Sequence, residues 1–109
     1  MSLRIESRDR SVTAYLTGEI DHHIAAAIRN DIDYSVRDTG AVELILDFSG
    51  VTFMDSSGIG LVMGRYRLMN EMGGSVIVQD PPHNIKKVMK LSGIDRLAEI
   101  RNSTEEESK

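Results

Sequence analysis

Cysteine and tryptophan are absent from this 109-residue sequence, which also has only two prolines and two phenylalanines. Without cysteine there are no disulfides, no thiolate zinc sites and no cysteine nucleophile. Without tryptophan, and with three tyrosines as the remaining aromatics, the core must be built from aliphatic side chains. A basic excess is missing too: 13 Lys and Arg stand against 17 Asp and Glu, a formal net charge of −4. That balance argues against nucleic acid or an anionic membrane as the main partner, because each is held by a basic patch. No run approaches the ~20 apolar residues of a membrane helix. The opening Ser2-Leu3-Arg4-Ile5-Glu6 starts no apolar stretch of signal-peptide length. The expectation is one soluble, cytoplasmic domain spanning residues 1–109, with no membrane and no direct nucleic-acid contact.

What the sequence does have is a regular succession of patterns. Leu3 and Ile5 alternate with Arg4 and Glu6, and Val12, Ala14 and Leu16 with Thr13, Tyr15 and Thr17. These two period-2 segments, joined through Arg8-Asp9-Arg10, read as a hairpin with one buried face, and Gly18 breaks the pattern. Asp21 is placed to cap a helix with an apolar stripe of Ile24, Ala27, Ile28, Ile32 and Val36, which Gly40 ends. Its opposite face, Arg29, Asp31, Asp33 and Arg37, reads as an ordinary solvated one. Val42 to Phe48 is nearly all apolar and suits a strand covered on both sides. Ser49-Gly50 reads as a turn, with Val51 to Met54 a second short extended piece. From Ser57 a helical stripe runs through Ile59, Val62, Met63, Tyr66 and Met69, flanked by Leu61 and Leu68, and Gly73-Gly74 stops it. Ser75 to Gln79 reads as another strand. Pro81-Pro82 opens a helix with Ile85, Val88 and Met89 on one face, closed by Gly93. A short docked element, Ile94 to Ile100, and a frayed tail, residues 103–109, complete the chain. The order ββαβαβα with a short end predicts an α/β class domain with helices packed on a sheet.

Asp55-Ser56-Ser57-Gly58 lies where a strand passes into a helix. One reading is a cap, with Asp or Ser accepting from the first free amides of the helix. That reading leaves Gly58, Gly60 and Gly64 unexplained, since each costs on the order of 1 kcal/mol of helix stability relative to Ala. Small residues on one face indicate close approach by something large, either the sheet or a second protein. Gly58-Ile59-Gly60-Leu61-Val62-Met63-Gly64 is not the GxGxxG of a dinucleotide fold, and no GxxxxGK[ST] loop occurs. Ser56 lacks the glycines of a GxSxG elbow. A Ser–His–Asp set with His83 and Asp80 or Asp21 remains an enzymatic alternative, a small serine hydrolase. Asp21-His22-His23 invites a metal reading, but adjacent histidines on a helix point about 100° apart. No metal and no cofactor are expected.

The stretch from Leu46 to Gly60, with Asp55-Ser56-Ser57-Gly58 at its heart, resembles the central motif of anti-sigma factor antagonists, the STAS-domain family. Thr17-Gly18-Glu19-Ile20-Asp21-His22-His23 is similar to the first loop of the sporulation-type members. Gly64-Arg65-Tyr66-Arg67 and Met72-Gly73-Gly74 match the same members further along. The resemblance implies a single STAS-type domain, a small mixed β-sheet with about four helices packed against it. It also implies a phosphorylation switch. The unmodified protein binds an anti-sigma factor that is itself a serine kinase and so releases the sigma factor. Phosphorylation of Ser56 turns binding off, and a serine phosphatase restores it. A STAS domain of another pathway, such as general stress regulation, is the alternative within the family.

Physical chemistry is compatible with that switch. A phosphate adds about −1.5 to −2 charges, and at Ser56 it would meet the free amides and dipole of a helix N-terminus. The fold should tolerate it while a partner packed on the loop would not. Asp21, His22, Asp55, Ser57, Gly58, Ile59 and Gly60 are the expected partner-contact residues. Asp21 is expected to pair with a basic residue, and Ile59 to be an exposed apolar anchor beside backbone that the kinase must approach closely.

Overall fold

The computed structural model describes residues 2–103. In chain order the elements are β1 (Ser2–Arg8), β2 (Ser11–Ile20), α1 (His22–Thr39), β3 (Glu43–Met54), α2 (Ser56–Glu71), β4 (Ser75–Gln79), α3 (His83–Leu91), a 3-10 turn (Ile94–Arg96) and β5 (Glu99–Arg101). The sheet runs β1-β2-β3-β4-β5. Only the β1–β2 pair is antiparallel; β2–β3, β3–β4 and β4–β5 are parallel, so the sheet is mixed. Each parallel step moves one strand along the sheet. Right-handed crossovers therefore put α1, α2 and α3 on the same face.

That face holds the core. Val12, Ala14 and Leu16 of β2, Leu44, Leu46 and Phe48 of β3, and Val76 and Val78 of β4 point into it at period 2 and are buried. The helices answer with Ile28, Ile32 and Val36, then Leu61, Val62 and Met69, then Ile85 and Met89. Ile45 and Ile77, partners in the β3–β4 register, are buried but lie outside this cluster, on the other face of the sheet. Tyr15, Asp47, Gln79 and Arg101 form a neighbouring row on that face. Asp47 accepts from Gln79 Nε2 at 2.8 Å, and Gln79 Oε1 accepts from Arg101 Nε and Nη2 at 3.1 and 2.8 Å. This polar relay ties the three-residue edge strand β5 to the middle of the sheet.

The structure departs from the sequence reading in several places. Ser49-Gly50 is not a turn: β3 runs through it without a break. The Asp47 carboxylate accepts from the Ser49 amide at 3.0 Å and hydroxyl at 2.6 Å, satisfying the backbone locally while the register slips from Tyr15–Asp47 to Thr17–Gly50. A Cβ on Gly50 would lie 2.6 Å from Thr17 Cγ2, so this glycine permits a bulge between two strands that stay paired. Gly18, at φ 89°, does the same for β2. About four helices were expected; among the described residues there are three α-helices. The Ile94–Ile100 element resolves into the 3-10 turn and β5.

On α1 the buried stripe takes Ala25 instead of the exposed Ala27. Ser103 donates its amide and hydroxyl to the two carboxylate oxygens of Asp80, at 2.8 and 2.6 Å. The rest of the expected tail lies outside the described residues.

Candidate functional site

β2 and β3 are parallel neighbours, and their last register pair is Ile20 with Met54. The Asp55 amide donates to the Ile20 carbonyl at 3.3 Å, so the two chains leave the sheet side by side. One residue later each turns into a helix through an aspartate with extended backbone, Asp21 at φ −108° and Asp55 at φ −94°. Asp21 Oδ1 accepts from the Ile24 amide at 2.9 Å, and Asp55 Oδ1 from the Ser57 amide at 2.8 Å. The result is a pair of adjacent helix N-termini, α1 and α2, at the C-terminal ends of two inner strands. Both present free amides and positive dipole ends in the same direction.

Ser56 is the first residue of α2 and is exposed. The cap is supplied by Asp55, so the Ser56 hydroxyl is not needed to hold the helix. His22 is also exposed at the start of α1, its ring edge-on to His23 with centroids 6.0 Å apart. Between the first turns of the two helices runs an open groove of about 330 Å³. His22, Ala25, Ala26 and Arg29 form one wall; Ser57, Gly60 and Gly64 form the other. A Cβ on Gly60 or Gly64 would meet nothing within 4 Å. These two glycines therefore leave space that nothing in the described chain fills.

Gly58 differs from them. It is buried, and a Cβ there would lie 2.6 Å from Met54 Sδ and 2.9 Å from Met54 Cβ. Its small size serves the packing of α2 on the end of β3, not a contact from outside. Ile59 is not the exposed anchor expected of it. It is half-buried and packs against the edge of the core, in keeping with its place on the apolar stripe of α2. The buried positions are Gly58, Leu61, Val62, Arg65, Leu68 and Met69, which leaves Met63 and Tyr66 half-buried at the margin.

Two features escaped the sequence reading. Phe53 is 52% exposed just before Asp55. No local pattern marks it, because its exposure follows from β4 ending at Gln79, opposite Asp47, well before β3 reaches Phe53. The second is Arg65, buried on α2 with its side chain only 7% exposed, whose Nε lies 2.8 Å from Asp33 Oδ1 of α1. The two atoms meet as an ion pair without hydrogen-bond alignment. Arg65 Nη1 also reaches the Leu61 carbonyl at 3.4 Å. Burial holds the Arg65 guanidinium below its ordinary pKa, the Asp33 carboxylate opposes that, and Arg29 and Arg37 add to it. Asp33 is thus part of the α1–α2 seam and not of a solvated face. The only sequence signal was an arginine spaced between Leu61 and Leu68 on the helix.

Among the described residues no hydrogen bond joins His83 to a serine or to Asp80 or Asp21, so the hydrolytic set is not assembled there. The carboxylate of Asp80 is taken up by Ser103, and that of Asp21 by the first turn of α1. What the site offers is a surface with one exposed hydroxyl at a helix start, Asp55 before it and Asp21 at the start of the neighbouring helix, and an open groove beside it.

Comparison with known proteins agrees with this arrangement. Residues 2–107 match the family described as STAS domain. An anti-sigma F factor antagonist of Paenibacillus polymyxa is 31% identical over 102 residues, covering 92% of this chain and 87% of that protein. The solved structure of the anti-sigma factor antagonist SpoIIAA in its unphosphorylated form superposes with a TM-score of 0.84 at 33% identity, covering 98% of this chain and 92% of that one. A structure of the Bacillus cell fate determinant SpoIIAA in the phosphorylated form superposes with a TM-score of 0.78 at 33% identity, covering 98% and 96%.

Proposed function

The chain belongs to the STAS domain family, and from that premise we propose that it is an anti-sigma factor antagonist switched by phosphorylation of Ser56. It acts as a regulator and not as a catalyst. Its partner is an anti-sigma factor that is also a serine kinase, and a serine phosphatase returns it to the binding state. No helix of the described residues is long and apolar enough to cross a membrane, and the proposed setting is the cytoplasm.

The observation that carries this reading is the placement of Ser56. Its hydroxyl is exposed at the first position of α2, the capping work next to it is done by Asp55, and the paired start of α1 stands beside it. A phosphate there gains from the helix dipole and free amides and loses from the Asp55 carboxylate, so the fold is little disturbed. A partner seated across the two helix starts would instead meet about two extra negative charges. The likeness to structures described in unphosphorylated and phosphorylated forms supports a phosphorylation switch, and the exposure of Ser56 favours it as the acceptor. Asp21, His22, Asp55, Ser57 and Gly60 are proposed as the contact surface. Gly58 and Ile59 act behind it, as packing.

The test is to mix the protein with candidate anti-sigma kinases and ATP and to map phosphate by mass spectrometry. Incorporation at Ser56, lost in Ser56→Ala, is expected. Wild-type incorporation into Ser56→Ala, with Ser57 as acceptor, would show that the wrong serine is named here.

A further inference from the structure

Six large apolar side chains are exposed among the described residues; Val88 and Leu91 lie on α3, and Leu97 just after the 3-10 turn that follows it. α3 is held down through Ile85 and Met89, while Val88, expected on the same face, turns outward. Val88 and Leu91, three residues apart, form one ridge on its outer side, with Leu91 80% exposed. Lys87 stands on the same side, and Lys86 and Lys90 flank it. None of these lysines is in a salt bridge among the described residues. Between His83 and Leu97 there are four Lys or Arg and one acidic residue, Asp95, although the whole chain carries −4. The ridge is therefore apolar and locally basic on an acidic protein.

We infer that this ridge is a second docking surface, and that its occupant is a short acidic amphipathic helix of a partner protein. Such a helix would lay leucine-like side chains on Val88 and Leu91 and set carboxylates against Lys86, Lys87 and Lys90. Charge complementarity selects an acidic partner. The length of the ridge, under three turns of helix, selects a short one. A lipid surface fits less well, because two side chains make a small wedge and the rest of the chain carries the negative excess. α3 starts where β4 ends and runs back along the sheet. Its last turn therefore lies toward the end of the strands opposite Ser56, and both surfaces can be occupied at once.

The test is a two-dimensional NMR titration of the intact protein. The probe is a synthetic helical peptide with leucines at i, i+3, i+4 and i+7 and glutamates between them, beside the same peptide with glutamine for glutamate. The acidic peptide should shift Lys87, Val88 and Leu91 and leave the Ser56 junction unmoved. The glutamine peptide should bind about tenfold more weakly. Leu91→Ser, at a side chain that stabilises little, should keep the melting temperature and lose about tenfold in affinity. Lys87→Glu should do the same by charge. Absence of shifts on α3, or equal affinity for the two peptides, overturns the inference. So does flotation with vesicles of equal phosphatidylglycerol and phosphatidylcholine that Leu91→Ser abolishes, which would name a lipid. A dimer that Leu91→Ser dissociates would name a second copy of this chain and overturn it as well.

Discussion

Asp21 and Asp55 occupy equivalent places on neighbouring parallel strands, directly after the register pair Ile20 and Met54, and each caps its own helix. Two helix starts side by side bring like dipole ends together, and the two carboxylates offset that repulsion. Capping and surface charge are combined in the same side chains, so a substitution has to be chosen to separate them.

Asp21→Ala should cost about 0.5–2 kcal/mol of stability through loss of the bond to the Ile24 amide. Asp21→Asn retains an acceptor oxygen and should melt close to the wild type. If Asp21 meets a basic residue of the anti-sigma partner, Asp21→Asn should weaken binding while stability holds. Thermal melting together with calorimetric binding checks both. Intact affinity alongside a lower melting temperature would leave Asp21 with capping alone.

Ser56→Ala should fold with a change within about 0.5 kcal/mol, since Asp55 makes the cap and Ser56 is exposed at the surface. The variant should bind the anti-sigma partner and resist its kinase. Urea unfolding and a radiolabelled phosphate assay read the two effects separately.

Gly58→Ala and Gly60→Ala should move stability in opposite directions although they are two residues apart on one helix. At Gly58 the new methyl meets Met54, including its Cβ at 2.9 Å, and the overpacking should cost about 1–3 kcal/mol. At Gly60 it enters open space, and the gain in helix propensity should stabilise by about 1 kcal/mol. The Gly60 methyl also projects beside the α1–α2 groove. If the partner uses that groove, Gly60→Ala will be the more stable protein and the weaker binder. A stabilised Gly60→Ala with unchanged affinity would remove the groove from the contact surface.

The Arg65–Asp33 pair should respond asymmetrically to substitution. Asp33→Ala leaves a buried guanidinium without its carboxylate and with Arg29 and Arg37 still acting on it, and should cost about 3 kcal/mol. Arg65→Met removes the charge at similar volume and leaves Asp33, 17% exposed, able to reach water, so it should cost less. The double substitution should recover part of the loss of Asp33→Ala. Urea unfolding of the four proteins in a double-mutant cycle measures the coupling, and strict additivity would show that the pair does not join α1 to α2.

The order of elements, the capping aspartates and the end of α1 at Gly40 could be read along the chain, because each is decided within a few residues. Asp21 reaches an amide three residues on, and Asp55 one two residues on. Alternation in Val12, Ala14 and Leu16 marks one buried face whatever strand pairs beside it. The junction at Asp55-Ser56-Ser57-Gly58 could be located for the same reason, as a carboxylate and hydroxyls at a strand-to-helix change. The sequence was silent wherever the deciding atom lay on another element. Ser49-Gly50 has the composition of a turn but continues a strand, because the partner strand β2 slips its register there. Nothing near Arg65 in the chain beyond its spacing from Leu61 and Leu68 marks it as enclosed, and it is α1 that places Asp33 against it. Gly58 and Gly60 are indistinguishable in the chain, and only the end of β3 decides that one is packed and the other open. Ile59 stands both on the apolar stripe of α2 and beside the expected phosphoacceptor, and only the packing of α2 on the sheet decides that it is half-buried. Local hydrogen bonding and periodicity were therefore determined by the sequence itself. Tertiary structure alone decided which of several small or charged residues is enclosed, since enclosure depends on contacts between segments far apart in the chain.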